Sequence, residues 1–219
     1  MVKLVKANTF ILGIFALLWI GGLFLVFSYP KADLHLAINQ WHSGFFDTFF
    51  KYFTLLGNGW AVFLLALIFL FIKVRHTVVF LVGNLLITLF VQVGKHLIFP
   101  DALRPVAYFK GTHTLHLVEG VTLHAYNSFP SGHSATAFGI FVILIFLIKN
   151  RGLKLLWLTV ALLTAFSRVY LSQHFMEDVL AGSLIGTLVM LSTIYYFDRY
   201  LSAWCNYSVV SRMPHKKKV

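Results

Sequence analysis

Apolar residues dominate six stretches of the chain, at 9–28, 57–73, 77–98, 134–148, 154–172 and 178–197. A helix needs about 20 apolar residues to cross the hydrocarbon of a bilayer, so these runs predict six transmembrane helices in an all-α polytopic bundle. The fourth run is short for a span; extension through Phe129, or burial of its outer end in protein, makes up the difference. Between the first two runs the pattern changes. Over 31–56, Leu34, Ile38, Trp41, Phe45, Phe46, Phe49, Phe50 and Phe53 are interspersed with Asp33, His35, Asn39 and Asp47, which predicts an amphipathic helix lying in the outer interface as a lipid anchor. The first run resembles a signal peptide, but it is long and no small-x-small cleavage site precedes Tyr29-Pro30, so it reads as a membrane span.

Composition agrees with this pattern. Of 219 residues, 59% are hydrophobic, 11% are charged and 23 are Phe, with a mean hydropathy of +0.82, which excludes an ordinary water-soluble domain or a disordered tail. The formal charge of +11 would suggest nucleic acid in a soluble protein. Here the basic residues sit in short clusters between apolar runs, so the partner is the bilayer and not nucleic acid. With the N-terminus inside, 12 of the 18 Lys and Arg residues fall in inner segments and Asp198 is the one acid there, so both termini are expected to be cytoplasmic. The tail His215-Lys216-Lys217-Lys218 reads as a headgroup anchor. Asn206-Tyr207-Ser208 is a chance match to a glycosylation sequon on the inner side, and the single Cys205 has neither a disulfide partner nor metal-site spacing. Residues 1–219 read as one domain, with an oligomeric state the sequence leaves open.

Polar residues beside membrane spans are costly, so their grouping is informative. Lys95 and Arg104-Pro105 follow the third run, Phe129-Pro130-Ser131-Gly132-His133-Ser134 opens the fourth, and Ser167-Arg168, His174 and Asp178 join the fifth and sixth. The charge-derived topology puts all three groups on the outer face. Lys95, Arg104 and Arg168 suit an anion clamp, since guanidinium forks match phosphate oxygens. Pro130-Ser131-Gly132 opens a helix whose free N–H groups can face the same anion. His174 and Asp178 are four apart, so on a helix the carboxylate holds one ring nitrogen and leaves the other free to attack, while His133 is placed as general acid. No Walker-type loop or magnesium-binding group of carboxylates is visible. The set predicts phosphoryl transfer without metal or other cofactor.

These motifs resemble those of the type 2 phosphatidic acid phosphatase (PAP2) superfamily: Lys-x6-Arg-Pro, Pro-Ser-Gly-His, and Ser-Arg-x5-His-x3-Asp. The second and third match without a gap; in the first, eight residues separate Lys95 from Arg104, the excess lying in a segment with Pro100 and Asp101. The resemblance implies a phosphohistidine intermediate on His174, with Asp178 raising its nucleophilicity and His133 protonating the leaving group. It also implies that Lys95, Arg104, Arg168, Ser131 and the Gly132 backbone hold the phosphoryl oxygens.

Other polar residues receive plainer readings. Ser134 and Ser167 bond within their helices. His113, His116, His124 and Glu119 fit no common zinc spacing and suggest substrate gating, and Glu177 points away from Asp178. The expected substrate is a lipid phosphate met at the outer face of the cytoplasmic membrane: undecaprenyl pyrophosphate, lipid A phosphate, phosphatidylglycerophosphate or phosphatidic acid, with the first narrowly ahead. A lipid-phosphate transporter or scramblase is the alternative. Vanadium-dependent haloperoxidases share the motif set, but six apolar spans separate this chain from those soluble enzymes.

Overall fold

The structure, a computed structural model, describes residues 5–200 and 207–209. Cys205, Asn206 and the basic tail from His215 to Lys218 lie outside the described residues. Among those described there is no strand. The helices are α1 (Thr9–Ser28), α2 (Lys31–Gln40), α3 (Gly44–Phe53), α4 (Gly59–Ile72), α5 (Val74–Val93), the short α6 (Pro105–Tyr108), α7 (Gly132–Leu147), α8 (Arg151–Tyr170) and α9 (Met176–Tyr200). A 3₁₀ turn, Thr54–Gly57, follows α3, and a π turn, Gly94–Ile98, extends α5.

Local chemistry accounts for several boundaries. Asn58 Oδ1 accepts from the N–H groups of Trp60 and Ala61 at 2.9 and 3.3 Å, and Asn150 Oδ1 accepts from Leu153 at 3.0 Å; both cap the first-turn donors that a helix cannot satisfy itself. Tyr29, before Pro30, is extended, because the proline ring disfavours helical backbone in the preceding residue.

Each of the six apolar runs forms a helix, but they differ in their ability to cross a bilayer. Among the described residues four helices are long and apolar enough: Thr9–Ser28, Val74–Ile98, Arg151–Tyr170 and Met176–Phe197. A fifth candidate is the pair Gly44–Gly57 and Gly59–Ile72, bent by 54°. α7 has only 16 residues. Its side chains from Ala137 to Ile145 are buried throughout, because α5, α8 and α9 pack around it; protein, not lipid, surrounds this short helix. Phe138, Phe141 and Ile145 meet Phe15, Ile87 and Met190 in the continuous apolar core.

The expected single amphipathic helix over 31–56 is instead two helices. Ser43 caps α3, its Oγ accepting from Phe46 N–H at 3.4 Å, which separates α3 from α2. Lipid anchoring also understates the segment. His35 and Asn39 of α2 are buried, and Phe50 of α3 packs on Tyr170 and Phe166 of α8 with ring centroids at 4.7 and 5.5 Å. Phe45, 72% exposed, keeps the outward apolar face.

α7 and α9 approach through small residues, as membrane helices do where backbones must come close. A Cβ on Gly182 would overlap the Ser131 carbonyl, and one on Gly186 would overlap that of Ala135. Overpacking of this kind costs roughly 1–3 kcal/mol, so Gly186→Ala is expected to lower the midpoint of thermal unfolding in detergent. Gly21→Ala, where an added Cβ meets nothing within 4 Å, serves as the neutral comparison. Equal midpoints for the two variants would show that the α7–α9 contact tolerates separation.

Candidate active site

Three cationic side chains converge at one end of the bundle, each tied to neutral acceptors. Lys95, in the π turn that closes α5, donates from Nζ to the carbonyls of Asn127 and Ser128 at 2.5 and 3.3 Å. Arg104 precedes α6; its Nε donates to Tyr126 O at 3.1 Å and its Nη1 to Gln173 O and Oε1 at 3.2 and 3.4 Å. Arg168, in the last turn of α8, donates from Nη1 to Thr54 Oγ1 at 2.7 Å and from Nη2 to Gln173 Oε1 at 3.4 Å. One carboxamide oxygen thus bridges two guanidinium groups.

His174 lies in the tight connection between α8 and α9. Its Nδ1 faces Asp178 Oδ2 at 3.2 Å, and the relative exposures are 2% and 1%. The same carboxylate oxygen accepts from Ser128 Oγ at 2.5 Å and from Phe175 N–H at 3.0 Å, which fixes the carboxylate and through it the ring. Nε2 has no hydrogen-bond partner among the described residues, and His174 lines a cavity of about 460 Å³ with Lys95, Arg104, Gly132, His133 and Arg168. Burial, then the charges of Arg104, Arg168 and Lys95, hold the His174 imidazole well below its ordinary pKa. It is therefore neutral near pH 7, as a nitrogen nucleophile must be. The same causes, burial foremost, lower His124 at the cavity rim.

Of the residues singled out from sequence, Lys95, Arg104, Arg168, Gly132, His133 and His174 line this one cavity, and Asp178 stands behind His174. The eight-residue interval between Lys95 and Arg104 is absorbed by the π turn and by a loop in which Phe99 N–H bonds Gly94 O at 2.8 Å and Arg104 N–H bonds Ala125 O at 2.8 Å. Ser131 lies behind the cavity wall. Its side chain is fully buried as the N-cap of α7 and accepts from Ser134 N–H and Oγ–H at 3.4 and 2.8 Å. Gly132 and His133, which follow this cap, line the cavity, and Ser131 does not. Ser167 donates to Thr164 O at 2.6 Å, as expected of a serine bonding within its helix.

The histidine-rich loop divides. His116 pairs with Asp47 at 2.9 Å and stacks on His42, while His124 lines the cavity. Among the described residues no cluster of His, Cys, Asp and Glu is arranged to hold a metal ion. Glu177 pairs with Lys31 at 3.4 Å on the surface. Sequence reasoning missed Gln173, Ser128 and Thr54. Only Gln173, adjacent to His174 within the third motif, had a positional signal.

Fold and site define an integral membrane protein of bundled helices whose buried histidine opens into a cation-lined cavity at one end. The model of the PAP2 superfamily matches residues 76–201, more than half of the chain; the chain belongs to this superfamily. It is similar to the lipid A 4'-phosphatase of Bacteroides thetaiotaomicron, 38% identical over 26% of this chain and 26% of the relative. It is also similar to phosphatidylglycerophosphatase B of Bacillus subtilis, 41% identical over 28% and 35%. The chain thus spans about a quarter to a third of the length of these curated relatives. The lipid A 4'-phosphatase of Porphyromonas gingivalis aligns more extensively, at 24% identity over 80% of this chain and 78% of that one. Among solved structures, Aquifex aeolicus LpxE superposes with a TM-score of 0.67 at 26% identity, covering 75% of this chain and 94% of that one. A transmembrane PAP2 type phosphatidylglycerolphosphate phosphatase from Bacillus subtilis shares the fold, with a TM-score of 0.64 at 22% identity over 93% and 100%.

The electrostatics of His174 carry a direct spectroscopic expectation. Because burial and three neighbouring cations disfavour its charged form, it should keep the nitrogen chemical shifts of neutral imidazole as the pH falls through 6.5, the ordinary His value. Titration of ¹⁵N-histidine-labelled protein in detergent, with His174 assigned by its Gln variant, checks this; a midpoint at or above 6.5 would contradict the site electrostatics.

Proposed function

We propose that the protein is a metal-independent lipid phosphate phosphatase that hydrolyses its substrate through a phosphohistidine. The observation that carries this reading is His174: a buried imidazole oriented through Nδ1 by Asp178, its Nε2 unpartnered, in a cavity shared with Lys95, Arg104 and Arg168. In the first step Nε2 attacks phosphorus, the bond to the leaving oxygen breaks, and His133 delivers a proton to that oxygen. The three cations and the N-terminal N–H groups of α7 stabilise the charge on the equatorial oxygens. In the second step water attacks the phosphohistidine, His133 takes its proton, and the P–N bond breaks to release phosphate. Ser128 and Phe175 N–H hold Asp178 in place, and Gln173 positions both guanidinium groups. Positive side chains supply the charge stabilisation that metal ions give other phosphoryl-transfer enzymes.

The orientation we favour has six spans, with α4 and the protein-shielded α7 completing the four long helices, both termini cytoplasmic and the site at the outer face of the cytoplasmic membrane. The excess of inner basic residues supports this. The lipid A 4'-phosphatases among the relatives favour a lipid A phosphate as substrate, with undecaprenyl pyrophosphate next and phosphatidylglycerophosphate and phosphatidic acid after them. Residues 1–219 act as one domain. A transporter that only binds lipid phosphates would have no use for the His174–Asp178 pair.

The test is phosphate release by purified protein from these four lipids. Wild type should turn over at least one, unchanged by chelators, and His174→Ala should be inactive, since loss of a covalent nucleophile removes the pathway. Release that survives the His174→Ala substitution would exclude the phosphohistidine route. Gln173→Ala leaves two guanidinium groups without their shared acceptor; a lost hydrogen bond to a charged group is worth about 1.5–3 kcal/mol, so kcat/KM should fall by about tenfold or more.

A further inference from the structure

The cavity holds more positive charge than one phosphoryl group requires. Besides Lys95, Arg104 and Arg168 its lining includes Lys51, and among the described residues no carboxylate lines it; Asp178 is turned toward His174. Four cations with one carboxylate behind them leave three positive charges, whereas a phosphate monoester carries at most two negative ones.

Lys51 stands in the outer part of this arrangement. Thr54, which accepts from Arg168, follows Lys51 by three residues, so the two share a side of α3 and its 3₁₀ extension. Nζ of Lys51 donates to Glu119 O at 2.7 Å and, among the described residues, makes no ion pair. Its neighbouring carboxylates are otherwise engaged: Asp47, one turn earlier, is held by His116 at 2.9 Å and Tyr170 at 2.6 Å, and the exposed Glu119 offers its backbone oxygen instead of its side chain. The ammonium rests against Gly120, where φ is +74° and a Cβ would stand only 2.6 Å from Nζ. The left-handed φ is what favours glycine at this position. The volume of about 460 Å³ falls in the range that encloses a ligand larger than a single phosphoryl group.

We infer that Lys51, braced by the Glu119-Gly120 turn, forms an outer anion subsite that receives a second phosphate of the substrate while the first occupies the clamp at His174. This deepens the hydrolase reading and rests on it for the identity of the inner site. Two substrate chemistries supply such a group: a lipid pyrophosphate, with the phosphates adjacent, and a doubly phosphorylated lipid A, with them apart.

Binding of non-hydrolysable probes tests the subsite independently of turnover. Wild type should bind methylenediphosphonate more tightly than methylphosphonate, and Lys51→Gln, which keeps a donor for Glu119 O but removes the charge, should reduce that preference about tenfold, the effect of one charge-assisted hydrogen bond. Lys51→Arg should retain it. In parallel, the kcat/KM ratio for lipid A with two phosphates over one is compared in the same variants. A fall confined to the diphosphonate pair identifies adjacent phosphates, and a fall confined to lipid A identifies separated ones. Ratios unchanged in both pairs by Lys51→Gln overturn the subsite. If no lipid is hydrolysed by wild type, the hydrolase reading fails and the phosphonate ratio alone judges the subsite.

Discussion

Holding Lys95, Arg104 and Arg168 together, with no carboxylate among them, is the constraint from which much of the surrounding architecture follows. Like charges at this spacing repel, and in a half-buried site the repulsion is only weakly screened. Neutral dipoles offset it: carbonyls of Tyr126, Asn127 and Ser128 from the loop before α7, the hydroxyl of Thr54, and both oxygens of Gln173. A carboxylate in any of these positions would neutralise the clamp and compete with the anion. Carbonyl and hydroxyl oxygens orient the cations and leave their charge available. The cations are therefore fixed in place with their charge uncompensated, the kind of preorganisation that favours electrostatic stabilisation of negative charge.

That requirement explains the role of segments that are not themselves long membrane helices. Thr54 is delivered by the bend between α3 and α4, and α3 is held by Phe50 against α8. α2 buries His35 and Asn39 beneath the loop that carries His116: Asn39 exchanges two hydrogen bonds with the His116 backbone, both at 2.8 Å, and donates to Ser172 two residues before His174. Burial holds His35 neutral, its pKa lowered to about 4, so its contact with Ser172 Oγ at 3.1 Å adds no further positive charge near the clamp. The close passage of α9 along α7 fixes the last part: Ser131 N–H bonds the backbone oxygen of Asp178 at 2.9 Å, which locks the start of α7 to the residue that holds His174.

The helices were legible in the sequence because membrane burial demands long apolar runs, and the charged and histidine residues of the cavity were legible because charge beside such runs is costly. What escaped has a common physical character. Thr54, Ser128 and Gln173 act through neutral backbone and side-chain groups, which impose no spacing or charge pattern on the chain. Ser131 stands in a motif that suggests substrate contact, yet its hydroxyl meets the local demand of the α7 N-terminus. The segment 31–56 shows an amphipathic pattern that lipid anchoring and protein packing would both produce; only contacts such as Phe50 with Tyr170 separate the two. The distance from Lys95 to Arg104 depended on a π turn, a backbone irregularity with no residue signature of its own.

The same geometry bears on how an amphiphile would meet the site. Tyr52 and Leu55 line the cavity, and Tyr52 with Phe45, Phe49, Phe53 and Leu56 also lines an open apolar depression on the adjoining face of α3. One helix thus carries a cation and polar contacts on its inner side and exposed aromatic rings on its outer side. Aromatic and aliphatic surface of this kind is stable against lipid chains, whereas the cavity beside it suits only a solvated or charged headgroup. The bend after α3 brings both environments to one place, so a phosphate could enter the clamp while its hydrocarbon stayed in the membrane, without the cost of drawing an acyl or prenyl chain through water.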